Sequence, residues 1–426
     1  MDYRETHVPN APTTAAHRRP SSTARAPVMR KRSLRDLDVA GKRVLLRADF
    51  NVPLAQDGDG RRVADDSRIR GAVPTIEYLR ERGAAVIVCS HLGRPRGVVR
   101  DELRLAPVAG VLAALIGAPV RSVDDCVGPD VEAAAAALGP GDMLLLENLR
   151  FHPEEEANDA GFASRLAALA DLYVNDAFGA AHRAHASVDA VARLLPSAAG
   201  LLLEAEIDRL AGVFAGDGAV ALVSGGAKVS DKLGLLHSVV VRADVLCIGG
   251  AMANTFLLAN GTDVAASLAE PDMADEAHAI QAEAERHGCR LLLPVDAVIA
   301  QGPDQPPRAR PLQLAEETLP PGWRILDIGP RSIEQFGAAL REVQTVVWNG
   351  PMGLFEREAF AGGTRALARL LAGLEADVIV AGGETLAATA QAGVADRMAH
   401  RSTGGAAALE LIEGRALPGI EALADA

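Results

Sequence analysis

From position 43 onward the chain alternates short apolar runs with longer stretches in which apolar residues recur every three or four positions. The short runs fall at 44–48, 85–90, 143–147 and 172–175, then again at 220–224, 245–249, 290–295, 325–328, 345–348 and 377–381. Their length and near-continuous hydrophobicity predict strands buried on both faces. Stretches at 109–116, 164–170 and 364–374 carry the helical period instead. Strand, helix, strand in repetition predicts an α/β fold of parallel sheets covered by helices. The alternation breaks near Leu195-Pro196-Ser197, and an apolar-rich helix is expected at 201–213. The pattern therefore predicts two lobes, 29–197 and 198–413, joined by a hinge helix, with 414–426 packing back on the first lobe.

Length agrees with two lobes, since 426 residues exceed one ordinary core. Residues 1–28 are rich in Pro, Thr, Ser, Ala and Arg and show no apolar period. They are expected to be a disordered tail, or a start assigned too early with Met29 as the first residue; a transit peptide is the lesser reading. No apolar run is long enough to cross a bilayer, and a net charge of −13 argues against general nucleic-acid binding. Four cysteines lack metal-site spacing and read as reduced core residues without a disulfide framework or a zinc site. A cytoplasmic monomer is expected, with no membrane or nucleic-acid partner.

Charge changes the picture by where it falls. Only four of the 43 basic residues are lysine, and two of them, Lys228 and Lys232, stand within five residues of each other. In a chain that uses arginine by default, such a pair points to a site needing a compact ammonium. The first half is close to neutral, the second clearly acidic. Ligands of open α/β sheets bind beyond the carboxyl ends of the strands. In the first half those ends carry Asp49 and Asn51, His91 and Arg94, Arg150, and Arg183, with Arg68 in the loop after the first strand. Clustered guanidinium groups bind phosphate or carboxylate by bidentate, charge-assisted hydrogen bonds. An anion pocket is expected there. Asp49 and Asn51 suit either a cap and a turn or the hydroxyl groups of a small polar substrate. His182 and His185 lack a third metal ligand nearby.

The second half ends its strands in paired glycines: Gly225-Gly226, Gly249-Gly250 and Gly382-Gly383, with Gly404-Gly405 opening the last helix. Glycine permits close backbone approach, and a helix N-terminus offers free N–H groups to phosphate. Together with Lys228 and Lys232 these junctions predict a nucleotide phosphate site. The chain has neither GxxxxGK[ST] nor a strand–GxGxxG–helix of the NAD type, which speaks against a dehydrogenase.

The phrases RADFNVPL (47–54), SHLGRP (90–95), ENLRFH (147–152), NDAFGAAHRAHAS (175–187), GGAKVSDK (225–232), WNGPMGLFE (348–356) and STGG (402–405) resemble the signatures of the phosphoglycerate kinase family, in family order. The resemblance covers position 29 to the C-terminus. It implies two Rossmann-like lobes and reversible transfer of the acyl phosphate of 1,3-bisphosphoglycerate to ADP, giving 3-phosphoglycerate and ATP, with Mg²⁺. It further implies that Asp49, Phe50, Asn51, Arg68, His91, Leu92, Gly93, Arg94, Arg150 and Arg183 bind the phosphoglycerate. Gly226, Ala227, Lys228, Lys232, Gly249, Gly250, Ile325, Leu326, Asn349, Pro351, Glu356, Gly382, Gly383, Glu384, Thr385, Gly404 and Gly405 would bind the nucleotide. Arg68 and Lys228 would face the phosphoryl group in flight.

Three positions depart from the family pattern, all in the second lobe. Ala251 and Ala406 replace third glycines, and Glu384 stands where the family has an Mg²⁺-ligating aspartate. The extra methylene displaces the carboxylate by roughly 1.5 Å on an unchanged backbone. Mg²⁺ demands near-ideal octahedral geometry, so nucleotide affinity is the property these changes touch. A non-catalytic paralogue that binds phosphoglycerate or nucleotide without turnover is the alternative they favour.

Overall fold

The computed structural model describes residues 30–58, 60–214, 216–304 and 309–426. The readings made for the N-terminal segment lie outside the described residues. Two six-stranded parallel sheets dominate. The first orders its strands Arg121–Ser122, Met143–Leu145, Ala85–Cys89, Arg43–Arg47, Leu172–Asn175, Ser197–Ala199. The second orders Arg290–Leu292, Val245–Ile248, Val220–Ser224, Thr345–Asn349, Asp377–Ala381, His400–Ser402. Helices cover both sheets, which explains why every residue of Ala85–Cys89 and of Val220–Ser224 is buried.

Alternation along each strand sorts side chains between two cores. Leu45, Ile87 and Leu144 face one side of the first sheet, while Val44, Leu46, Val86 and Val88 face the other. In the second sheet Leu222, Leu246 and Val347 face the same cluster as Leu45, and Ala221, Val223, Val346 and Trp348 face away from it. One apolar cluster therefore runs from lobe to lobe. Leu203, Ile207 and Leu210 of the helix Leu201–Leu210 and the C-terminal Leu417, Ile420 and Leu423 belong to it.

That connecting helix is capped by Asp176, whose Oδ1 accepts from the Leu202 and Leu203 N–H groups at 2.9 and 3.1 Å. Glu206, buried on the same helix, accepts from His400 Nε2 at 2.8 Å and the Thr403 N–H at 2.9 Å. The helix is thus tied to strands of both sheets. A further short helix, Pro418–Glu421, follows the one beginning at Ala406 and returns to the first sheet. There the Gly419 N–H donates to the Ala181 carbonyl at 2.8 Å and its carbonyl accepts from Asn175 Nδ2 at 3.0 Å. The edge strand Ser197–Ala199 runs across the 197/198 line.

One expected strand has a different setting. The run at 325–328 lies in Arg324–Ile328, which pairs antiparallel with Asp296–Ala300 in a separate three-stranded sheet. A short apolar run carries no record of strand direction, so periodicity does not separate the two cases.

Candidate active site

The carboxyl ends of the first sheet surround a cavity of about 270 Å³. Asp49, Asn51, Arg68, His91, Gly93, Arg94, Arg150 and Arg183 line it, and so do Gly404, Gly405 and Ala406 from the second lobe. Each strand end delivers its residue by a local device. Asn148 caps the turn Leu149–Phe151 through the Arg150 N–H, and its carboxamide also holds the Leu92 backbone. Asn51 Oδ1 accepts from the Gly93 N–H at 2.9 Å. Arg68 leaves the first turn of the helix Ser67–Glu81 and reaches Asp49 Oδ2 at 2.5 Å.

Phe50 and Leu92 depart from the expectation. Both side chains are buried in the core on the far side of the first sheet and do not line the cavity. Phe50 serves the site through its backbone, whose N–H donates to Ser90 Oγ at 2.8 Å.

The cavity holds more cation than the protein neutralises, although Asp49 pairs with Arg68 and Glu156 lies 3.3 Å from Arg150 Nε. Arg150 is buried, and burial together with neighbouring Arg183 and Arg47 lowers its pKa to about 10. Burial and the same arginines push His91 well below its ordinary value. His185 is brought down to about 3 by the same causes. His182 is lowered too, and its Nε2 accepts from Arg183 Nε at 3.1 Å. The histidines are neutral. Only an anion relieves the mutual repulsion of the guanidinium groups.

Behind the cavity lies a buried network without an assigned role in the sequence reading. Arg47 is fully buried and donates through Nε to Ser187 Oγ at 2.8 Å and through Nη2 to His91 Nδ1 at 3.1 Å. Ser187 donates in turn to Glu155 Oε1 at 2.6 Å. Because Nδ1 accepts, the His91 proton sits on Nε2. Alternation at 44–48 marked Arg47 as a charge on the inward face of a buried strand, and that was the available signal.

The second lobe assembles its turns differently. The Gly225 and Gly226 N–H groups donate to the Asn349 and Pro351 carbonyls, and the Gly250 N–H donates to the Met352 carbonyl at 3.0 Å. These donors are consumed by the neighbouring loops and do not project outward, a correction to the reading of the paired glycines. Asn349 and Thr385 are also occupied: Asn349 Nδ2 donates to the Ala381 carbonyl, and Thr385 Oγ1 accepts from the Gly350 N–H at 2.7 Å. Lys232 Nζ donates to the Gly225 carbonyl at 2.6 Å and to Asn349 through its carbonyl at 3.0 Å and Oδ1 at 2.5 Å. Burial lowers its pKa to about 8, against the opposing pull of Glu384 and Asp231. Lys232 is a strut of the loops. Lys228, Ala227, Gly383, Glu384 and Glu356 are exposed at or near the strand ends, Pro351 is buried, and Ile325 and Leu326 are half-buried on the antiparallel strand. Glu384 opens the helix Gly383–Gln391, whose first turn leaves N–H groups without intrahelical partners.

Gly404 and Gly405 do not join these turns; they face the arginine cavity. A side chain at Gly404 would collide with the Phe178 ring of the first lobe, so glycine is what allows the two lobes to meet there.

An anion cavity in one lobe, opposed by glycine turns at the ends of a second parallel sheet, defines a two-lobed phosphotransferase. A family model described as phosphoglycerate kinase matches residues 34–415. The phosphoglycerate kinase of Moorella thermoacetica is 53% identical over 400 residues, covering 93% of this chain and 100% of the relative. That of Pelotomaculum thermopropionicum is 52% identical over 398 residues, covering 93% and 100%. Among solved structures, phosphoglycerate kinase from Coxiella burnetii matches with a TM-score of 0.82 at 37% identity, over 92% of this chain and 98% of that one. The Pyrococcus horikoshii enzyme matches at 0.78 and 32%, again over 92% and 98%. The chain belongs to the phosphoglycerate kinase family. Its reaction is the glycolytic one, reversible phosphoryl transfer between 1,3-bisphosphoglycerate and ADP, with a carboxyl group as acceptor in the reverse direction. The non-catalytic alternative is not favoured. No helix among the described residues is long and apolar enough to cross a membrane.

Proposed function

We propose that the first-lobe cavity binds the phosphoglycerate and that the second-lobe loops bind the nucleotide, with the first lobe extended from the expected 197 to the end of its edge strand Ser197–Ala199 and with 414–426 belonging to it. The observation that carries this reading is the surplus of buried cation: Arg150 loses basicity among its own neighbours and regains it when an anion enters. Arg94, Arg150 and Arg183 hold the phosphate and carboxylate, and neutral His91 donates through Nε2. Asp49 and Asn51 orient the hydroxyl end. Arg68, braced by Asp49, neutralises charge on the group in flight.

On the nucleotide side, Lys228 and the first turn of Gly383–Gln391 supply the outward-facing donors, while Lys232 and Asn349 hold the loops in register. Ile325, Leu326, Pro351 and Glu356 surround the rest of the nucleotide. Phosphoryl transfer needs alignment and charge neutralisation without a covalent protein intermediate, and closure about Leu201–Leu210 supplies the alignment while excluding water. Gly404 and Gly405 face the transferred group from the second lobe. Glu384 would hold Mg²⁺: it is exposed, carries a carboxylate and shares its surroundings with Lys232, and Mg²⁺ is commonly held by one or two protein carboxylates with waters and phosphates. When bound, the ion neutralises nucleotide phosphate charge. The protein works as a cytoplasmic monomer.

A coupled assay with ADP or ATP, with and without Mg²⁺, tests the proposal together with the Lys228→Arg variant. Metal-dependent turnover, strongly impaired in the variant because a planar fork replaces a point charge, is expected. Wild-type kinetics for the variant would remove Lys228 from the site.

A further inference from the structure

Outside the lining of the cavity, in the first lobe, three side chains of different chemistry converge. Asp125, Cys126 and His152 each offer one ligand atom, and these atoms lie within 4.8 Å of one another. Cys126 is one of four free, buried cysteines. It is the only one that shares such a group with a histidine and a carboxylate among the described residues.

The arrangement is held in place before any ion arrives. His152 directs Nε2 at Asp125 Oδ1, 2.6 Å away, and its ring lies 5.2 Å from that of Phe162. The Cys126 N–H donates to the same carboxylate oxygen at 2.6 Å. The Asp125 carbonyl accepts from the Glu147 N–H at 3.2 Å, which fastens this loop to the strand end that leads to His152. Ligands from two loops, separated by 26 positions, leave no linear motif, so cysteine spacing could not disclose them.

We propose that Asp125, Cys126 and His152 form a site for one thiophilic divalent cation of the Zn²⁺ class, with solvent completing a tetrahedral set. Sulfur, imidazole and carboxylate together suit such an ion and not Mg²⁺, which takes oxygen ligands. In a tetrahedral site, zinc–nitrogen and zinc–oxygen bonds of about 2.0–2.2 Å put the two ligand atoms about 3.3 Å apart. The His152–Asp125 contact therefore opens by under about 1 Å, the separation an ion inserted between them requires. Asp125 is exposed and His152 partly so, which gives the ion its path to the buried sulfur. On binding, the thiol proton leaves to solvent and the thiolate takes its place as ligand. The bound ion fastens the loop of Asp125 to the ENLRFH segment that carries Arg150, two residues before His152.

Cobalt(II) titration of the full, chelator-stripped chain tests the site. One equivalent is expected to produce thiolate-to-cobalt charge-transfer absorption in the near ultraviolet, abolished by one equivalent of Zn²⁺ and untouched by millimolar Mg²⁺. Cys126→Ser removes the band. His152→Gln, at a partly exposed position that avoids disturbing the core, weakens cobalt affinity at least tenfold and leaves Mg²⁺-dependent turnover of the stripped enzyme within twofold. Zn²⁺ raises the melting temperature of the wild type and not of His152→Gln. Absence of the band in wild type, or a band of undiminished affinity in His152→Gln, overturns the proposal. So does cobalt binding without charge transfer, which places the ion elsewhere.

Discussion

In the first lobe, arginines from four separate segments project into one cavity and repel one another. In the second, the glycine turns spend their N–H groups on neighbouring carbonyls, and a half-buried lysine braces them. On the proposed assignment, one lobe concentrates its recognition in charged side chains, the other mainly in the path of its backbone. The same size of sequence change should therefore act differently in each. Removing a side chain removes function in the first lobe, whereas adding one does so in the second.

The strongest break in this comparison is Arg68→Ala. Loss of a group that neutralises transition-state charge lowers turnover by about 100-fold or more. Nucleotide affinity, measured by calorimetry, stays near wild type. Near-normal turnover would remove Arg68 from the reacting centre.

Next in size is Gly250→Ala. A Cβ there would lie 2.6 Å from the Gly226 nitrogen and 2.7 Å from its carbonyl oxygen, and φ is +65°. The loops must move apart, a strain of roughly 1–3 kcal/mol. Nucleotide affinity is expected to fall about tenfold while phosphoglycerate affinity is unchanged. A loss of both would mean the lobes do not divide the substrates as proposed.

Acidity separates the lobes without mutation. Lys232 has a folded pKa of about 8, below the ordinary lysine value, so its ammonium is lost as pH rises through 8. Its three acceptors then lose a charged donor, a contribution of about 1.5 kcal/mol or more. Nucleotide affinity should fall by about tenfold between pH 7 and 9.5, with phosphoglycerate affinity flat until Arg150 begins to titrate near 10. Stability moves the other way: between about pH 8 and 10.5 the unfolded chain holds the proton that the folded chain has released, so stability rises with pH. Lys232→Arg should abolish the affinity change; a persistent change would assign it to another group.

The smallest effect sharpens the comparison inside the second lobe. Glu384→Asp should tighten Mg²⁺–nucleotide binding about threefold, since the shorter side chain has one rotor fewer to order. Phosphoglycerate binding should not respond, and Mn²⁺, which accepts carboxylate ligands readily, should replace Mg²⁺. If the aspartate variant binds nucleotide worse, the loop has adapted to glutamate.

The parallel sheets were legible because strands buried on both faces must be apolar almost throughout, and 172–175, 220–224 and 377–381 coincide with observed strands. The arginine cluster was legible for a related reason: parallel strands in register place their carboxyl ends together. What the glycine pairs do was not. A glycine marks a close approach without saying which backbone approaches, and only the folded loops show that Gly226 and Gly250 donate inward and that Gly404 faces the other lobe. The antiparallel pairing of the strand at 324–328 and the hairpin of Leu54–Asp57 with Gly60–Val63 were missed because an apolar run does not record pairing direction and short, half-exposed strands leave little periodicity to read.

The return of the C-terminus to the first sheet bears on the order of events during synthesis. Leu417, Ile420 and Leu423 are buried, and side chains of this size contribute about 1.5–3 kcal/mol each when withdrawn from water. The Arg32 N–H donates to the Ala424 carbonyl, and the Ala424 N–H donates to Ser197 Oγ. The first part of the chain to leave the ribosome thus depends on the last. Its nascent lobe is expected to keep apolar surface uncovered while the second lobe is made. A chain truncated at 413 should remain protease-sensitive in its first lobe, and supplying residues 414–426 as a separate peptide should restore resistance; a fully protected truncated lobe would show that it closes unaided.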